Sequence, residues 1–323
     1  YTPYSRLATV HRDWVLEEWT LTGPPESWDE QLEQRYRDAP VFAMLSGLSN
    51  DNWGPIGRFC ERNEVPCLFP GTRITDAAEG DFYTLYYSRG LELEADLIAN
   101  DLAAVPVTEV IQVFCGAAPA QAASGLRASL QEQELAVSDL AFDCDDVLPV
   151  AELVERSEST ADAAIVLWLG QEHLASIEGE LPPGRLYFSS TLLGEEQNRA
   201  FLSVSDSAFM AHPFRLPGQF DPAMARFKAW AKSRDIEMTA PRRQSEAFFA
   251  CLAVKEAIKH IGRFFIRDYA LDTLDHAQSL VAYLPYYPRP TLGPQQRFVN
   301  KGGYVLPIEN GQVVTEEAAW ILP

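Results

Sequence analysis

The chain has 323 residues, 47% of them hydrophobic and 22% charged, and its 46 acidic residues outnumber 26 basic ones to give a formal charge of −20. That length predicts two domains or one large one with a sizeable core. So acidic a surface repels phosphate backbones and argues against nucleic acid as a partner, and no apolar run approaches the ~18 residues of a membrane-spanning helix. A local basic pocket for a small anion remains compatible with that charge.

In chain order, Leu7–Val10 is a short apolar run and Trp14–Trp19 has the alternation of a strand. Trp28–Arg37 reads as a polar helix closed by Asp38-Ala39-Pro40. Val41 to Arg73 then forms a complete βαβ unit. Its parts are a strand Val41–Leu45, a small polar loop Ser46–Asn52, a helix Trp53–Arg62, a strand Val65–Phe69 and a loop Pro70-Gly71-Thr72-Arg73. In a parallel sheet both loops fall at the carboxyl ends of their strands, where α/β proteins place ligands. Phe82–Tyr87 follows as an aromatic strand and Leu91–Ala104 as a helix before Pro106.

The strand, small loop, helix pattern of 41–104 returns in 110–212. Strands are predicted at Val110–Cys115, Leu135–Phe142, Ala163–Leu169, Leu186–Phe188 and Phe209–His212. Helices fall at Ala120–Gln133 and Val150–Glu155, and the loops include Gly170-Gln171-Glu172-His173 and Ser189-Ser190-Thr191. Helices dominate afterwards, at Ala223–Arg234, Ser245–Ile261 and Thr273–Ala282, the second with Phe248, Cys251, Leu252, Ile258 and Ile261 at core-facing spacing. Gly303–Ile308 and Gln312–Val314 around Asn310-Gly311 read as a terminal hairpin. Two similar α/β lobes follow from this repetition.

Cys60 and Cys67 bracket a helix-to-strand turn, while Cys115 and Cys144 end consecutive strands. Both pairs can bridge in an oxidising compartment, leaving Cys251; in a reducing one all five are thiols. No CxxC or Cys/His metal spacing is present, and no cofactor is expected. GxSxG, HExxH, GxxxxGK[ST] and GxGxxG are all absent, and the five His are scattered, so the sequence offers no catalytic constellation.

VFAMLSGLSNDNWGPIGRFCERNEVPCLFPGT, the strand–helix–strand of 110–142, AAIVLWLGQEH, SEAFFACLAVKEAIKHIG and YPRPTLGPQQRFVNKGGYVLPI together resemble the type I periplasmic solute-binding proteins of the branched-chain amino acid transporter group. The resemblance spans roughly residues 35 to 314 and is one of order and spacing. It implies two Rossmann-like lobes with parallel central sheets, joined by a three-crossover hinge and closing on a ligand. The first lobe would hold about 1–90 and 220–302, the second about 91–219 and 303–323. One departure is visible: the family's opening strand, Gly-rich ligand loop and long helix have no counterpart before Trp14. Either the first lobe has diverged or that opening lies outside this sequence.

Carried over by position, the family's ligand contacts fall on Asn50 and Asp51, on Gly71, Thr72 and Arg73, on Glu172 and Thr191, and on Phe248 as an aromatic wall. Asn50 stands where the family has Ser, and Arg73 where it has Thr, so an aliphatic amino acid is not assumed as ligand. Arg73 suits a carboxylate through its fixed donors, or pairs with Asp76 as a surface residue. Asn50 and Thr72 can read a ligand or make turns. Trp53 can stack on a cyclic ligand or pack in the lobe. Glu172 can take an ammonium group or stay an idle exposed acid.

The implied function is that of a non-catalytic, extracytoplasmic receptor, a monomer or weak dimer. It would present an amino acid, organic acid or aromatic acid to the membrane permease of an ABC transporter. A ligand sensor on the same scaffold is the alternative, and an enzyme with a cleft between the lobes the third reading.

Overall fold

The computed structural model describes residues 13–323 apart from 51, 161, 176, 178–180, 183 and 195–206. Two compact units emerge, one holding the chain up to Ser88 together with Phe220–Asn300, the other Arg89–Gln219 with Lys301–Pro323. The chain passes between them three times, after Ser88, Gln219 and Asn300.

The first unit has a small sheet. Helix α1 (Trp28–Asp38) precedes β1 (Met44–Leu45), α2 (Gly54–Arg62), β2 (Cys67–Leu68) and β3 (Thr84–Leu85), all three strands parallel in the order β1-β2-β3. Each strand is only two residues long, far shorter than the apolar runs predict: past their carboxyl ends backbone pairing continues only as isolated bridges, and at their entries side chains take the backbone groups. Arg267 donates from all five of its guanidinium N–H groups: to the carbonyls of Val41, Phe42, Asn63 and Glu64 and to the Tyr36 hydroxyl, at 2.7–3.4 Å. Glu61 accepts from the N–H groups of Phe82, Tyr83 and Thr84 at the entry to β3. Trp14–Trp19, expected as a strand, forms none, and Leu7–Val10 lies outside the described residues.

The second unit is built on a larger sheet. Its elements are α3 (Leu91–Leu102), β4 (Glu109–Phe114), α4 (Ala117–Gln131), β5 (Ala136–Ala141), α5 (Val150–Glu158), β6 (Ala163–Trp168), α6 (Gln171–Ala175), β7 (Arg185–Ser189), α7 (Ser190–Leu193) and β8 (Ala208–His212). The chain then returns to the first unit for α8 (Pro222–Lys232), α9 (Pro241–Ile261) and α10 (Arg267–Asp275) before ending in β9 (Tyr304–Glu309) and β10 (Gln312–Val313). The seven strands run β10-β9-β8-β7-β6-β4-β5; β4 to β8 are parallel, and β9 and β10 form an antiparallel margin. Asn310 (φ 50°) and Gly311 (φ 74°) supply the two positive-φ residues of a tight hairpin turn between β9 and β10. Ile111, Val113, Ile165, Leu167, Leu186, Phe188 and Met210 pack one continuous apolar core.

Three predicted elements shift. Helix α9 starts four residues earlier than Ser245, at Pro241, whose fixed φ suits the first helical position. Its buried face is Ser245, Phe249, Ala250, Ala253, Val254, Ala257 and Ile261, whereas Cys251 is exposed and Phe248, Leu252 and Ile258 are half-buried. Small alanines let that helix approach its unit closely, and a reading weighted by side-chain bulk picks the wrong stripe. The helix expected at Thr273–Ala282 is instead α10, ending at Asp275, then a 3-10 turn at Gln278–Tyr283. The loops holding Glu172 and Thr191 contain the short helices α6 and α7.

Candidate functional site

At the carboxyl ends of β1 and β2 two loops run side by side. The Gly71 N–H donates to the Gly47 carbonyl at 2.8 Å, the Ser49 N–H to the Gly71 carbonyl at 3.1 Å and the Trp53 N–H to the Ile74 carbonyl at 3.0 Å. These three backbone donors are thus taken by the loops themselves, which leaves more of any charge recognition to side chains.

One side chain is positioned for it. Arg243, in the first turn of α9, lies over Gly71 so closely that a Cβ on Gly71 would meet its Nη1 at 2.8 Å and its Cζ at 3.3 Å. With any other residue at 71, the ends of the Arg243 and Leu48 side chains would have to shift. Arg243 Nη1 donates to Glu246 Oε2 at 2.9 Å, while Arg242 Nε and the Tyr287 hydroxyl reach Glu246 Oε1, each at 3.1 Å. The Tyr87 hydroxyl donates to the Glu246 carbonyl at 2.6 Å. Burial, followed by the Glu246 charge, pushes the phenols of Tyr87 and Tyr287 well up, so both stay protonated donors. Glu246 is 2% exposed, and the Arg243 side chain 34%. Two guanidinium groups therefore share one buried carboxylate, and the local sum is one positive charge facing a partly open surface. The first turn of α9 contains no acidic residue to offset it or the helix dipole. Phe249 completes the floor, with its ring 5.2 Å from Phe69 and 6.3 Å from Tyr87.

The other predicted residues take varied places. Asn50 is exposed on its loop, and Asp51 lies outside the described residues. Trp53 is 3% exposed and belongs to the core with Leu32, Ile56, Phe59 and Tyr86, so it presents no face to a ligand. Thr72 Oγ1 donates to the Ile74 carbonyl at 2.8 Å, a turn-making role. Arg73 is half-buried, and Asp76, its expected surface partner, pairs with Arg58 at 3.3 Å instead. Phe248 leaves the loops and packs on Trp230 (4.6 Å) and Phe227 (5.5 Å) between α8 and α9, because one helical step turns it away from Phe249.

In the second unit, Glu172 on α6 is exposed and folds back over Gly170. Thr191 is turned inward: its N–H and Oγ1 donate to Glu94 Oε1 at 3.0 and 2.8 Å, and the Ser189 hydroxyl donates to Glu94 Oε2. Glu94 is fully buried, and these donors account for a charge at that depth. Cys60 is joined to Cys67, and Cys115 to Cys144, with Cα separations of 6.2 and 5.2 Å. An open groove of about 1040 Å³ lies between the second half of α9, α10 and the 3-10 turn, lined by Lys255, Lys259, His260, His276 and Tyr269 among others. It shares no residue with the Gly71 loop.

No protein-family model matches the sequence, and neither does any curated protein. Solved structures do. A branched-chain amino acid ABC transporter from Thermus thermophilus with bound valine aligns over 92% of this chain and 82% of its own, with a TM-score of 0.67 at 12% identity. The substrate-binding protein LivJ of Streptococcus pneumoniae in complex with isoleucine aligns over 93% and 85%, with a TM-score of 0.63 at 16% identity. A fatty acid ABC transporter substrate-binding protein from Thermomonospora curvata gives 90%, 78%, 0.62 and 12%.

The fold is that of a type I solute-binding protein.

Within the type I solute-binding fold, the loops after β1 and β2 are the ones the sequence singles out. What the sequence reading missed there is Arg243. A signal was available: Pro241-Arg242-Arg243 opens a helix with two cations at its positive pole, where acidic residues are the rule. A local rule broken at the mouth of a loop cluster marks a functional or strained place.

Proposed function

We propose that the protein is a solute receptor outside the cytoplasm that binds a small carboxylate-bearing molecule at the Gly71 loop and delivers it to an ABC-type membrane permease. One observation carries this reading: Arg243 over Gly71, with Arg242, leaves a positive charge in a chain whose formal charge is −20. Arg243 takes the anchoring role assigned from position to Arg73. Phe69, Tyr87 and Phe249 are buried beneath the Gly71 loop and pack on one another, so they support Arg243 and Glu246 from below. The similarity to structures described with valine and isoleucine supports a ligand of that size. Among the described residues these loops carry no nucleophile–base pair, which favours reversible capture over turnover.

A thermal-shift screen of amino acids, aromatic acids, dicarboxylates, their amides and polyols tests the reading. A ligand at a hundred times its dissociation constant adds about 2.7 kcal/mol. Carboxylates should raise the midpoint and the matching amides should not. Equal shifts from acid and amide would remove the anionic anchor, and turnover of a bound compound would remove the receptor.

A further inference from the structure

We propose that Cys115, Cys144 and His173 form a redox-gated site for a zinc-type divalent cation, closed while the two sulfurs are bonded and open once a dithiol reductant has separated them. The three residues arrive from three neighbouring strands. Cys115 directly follows β4, Cys144 lies in the loop after β5, and His173 sits on α6 after β6, in a sheet where β4 lies between β5 and β6. Their ligating atoms all fall within 4.8 Å of one another. His173 Nε2 is 3.5 Å from Cys115 Sγ and 3.2 Å from the Cys144 carbonyl. With Zn–S near 2.3 Å and Zn–N near 2.0 Å, a tetrahedral ion spaces its ligand atoms by roughly 3.5–3.8 Å, inside that spread. Phe142 packs edge-on against the His173 ring at 5.8 Å and holds it over the sulfurs. Gly116 (φ 80°) runs beneath, where a Cβ would come within 3.4 Å of Cys144 Sγ.

The chemistry of opening follows from where each sulfur sits. Cys144 is exposed and Cys115 is 6% exposed, so a dithiol reaches Cys144 Sγ first. Its thiolate forms a mixed disulfide there, and the electron pair of the broken bond passes to Cys115 Sγ. Cys115 stands just before the 15-residue helix α4, whose first turn has no acidic residue, so the helix N-terminus stabilises the leaving thiolate. The reductant's second thiolate then attacks its own sulfur in the mixed disulfide and releases Cys144. The reductant leaves as its disulfide, oxidised by two electrons, and the protein gains two thiols. These lose their protons to solvent as they bind the cation. Two thiolates cancel its charge, neutral His173 supplies the third ligand, and a water takes the open fourth position. The Cys60–Cys67 bridge is buried and, among the described residues, gathers no His, Cys, Asp or Glu as third donor; the Met44 thioether, 3.7 Å from each sulfur, is its only sulfur neighbour there.

The test uses the full chain carrying Cys251→Ser, which removes the exposed free thiol. It is titrated with Zn²⁺ against a chromogenic chelator, before and after reduction by a phosphine, and with Co²⁺ to read thiolate-to-metal charge transfer. One ion per chain should bind after reduction, at least a hundredfold more tightly than before, with a two-thiolate cobalt spectrum. His173→Ala should weaken it tenfold or more, and the Cys60→Ser/Cys67→Ser pair should leave it unchanged. Equal binding in the oxidised and reduced chains overturns the proposal, as does full binding by Cys115→Ser/Cys144→Ser or no loss in His173→Ala. Loss of near-ultraviolet circular dichroism on reduction overturns it too, since the site requires the folded loops.

Discussion

The two units of this chain reach stability by different means. The second has six strands of five or six residues besides the two-residue β10, a run of Val, Ile, Leu and Phe between helices, and ladder bonds along its parallel stretch. The first has three strands of two residues each. Beside its short ladders it uses long polar side chains: Arg267 on four carbonyls, Glu61 on three N–H groups, and Arg297 Nη2 donating to both carboxylate oxygens of Asp275 at 2.9 and 2.7 Å. A sheet reduced to a remnant can still organise the loops after its strands if long polar side chains take the backbone groups that strand bonds leave over. Such staples are directional, whereas apolar packing is not. The first unit is therefore the more sensitive to single polar substitutions.

The largest expected effects come from attacking each unit where it is strongest. Arg297→Ala leaves Asp275, 5% exposed, without its partner and should cost about 3–5 kcal/mol, read by urea unfolding. Replacing both by apolar residues of similar volume should recover most of that loss. Phe188→Ala in the second unit should cost a similar 3–5 kcal/mol with no double substitution to restore it. If Arg297→Ala lowers hydrogen-exchange protection in β4 and β6 as much as in β2, the division of labour fails.

Arg267→Lys comes next. Lysine has no planar fork to reach four carbonyls, so this outwardly conservative change should cost about 2–3 kcal/mol. On the binding side, Arg243→Ala should weaken a carboxylate ligand by about 2–3 kcal/mol in calorimetry, and Arg73→Ala by far less. The reverse ranking would return the anchor to Arg73.

The smallest effect is one of pH. Hydrogen bonds from Arg62 and Asn63 hold the Glu33 carboxyl below its usual value of 4.5. A carboxylate depressed in the folded state contributes stability above that value and loses it as pH falls through the folded one. Glu33→Gln should flatten the decline in urea midpoint between about pH 5 and pH 3, by well under 1 kcal/mol because the pair is exposed. Burial pushes Glu61 the other way, so its contribution is fullest below 4.5 and fades as pH rises.

The order of elements was legible because each strand of the second unit is an apolar run with a small loop after it, as Ala163–Trp168 shows. The strands of the first unit were legible in position and not in length, since nothing local in Val41–Leu45 reveals that Arg267, more than two hundred residues on, takes its carbonyls. Trp53 and Phe248 were placed at the site by position, and packing claimed both. Arg243 escaped because the apolar spacing that reveals this helix begins only at Ser245, which leaves the helix's first turn outside the reading. The Cys115, Cys144 and His173 cluster has no compact spacing to find. Its members stand 29 residues apart, one per βα repeat, and only a parallel sheet brings such positions together.

In the proposed site, the place of the Arg243 guanidinium depends on the missing side chain at Gly71. A codon change to alanine there would make the Arg243 guanidinium or the Leu48 side chain shift, without touching any residue that carries charge. Ligand preference could then drift in one inherited step, and restoration would need that same position rather than a new cation. Among descendants of a common ancestor, glycine at 71 and arginine at 243 should accordingly be kept or lost together.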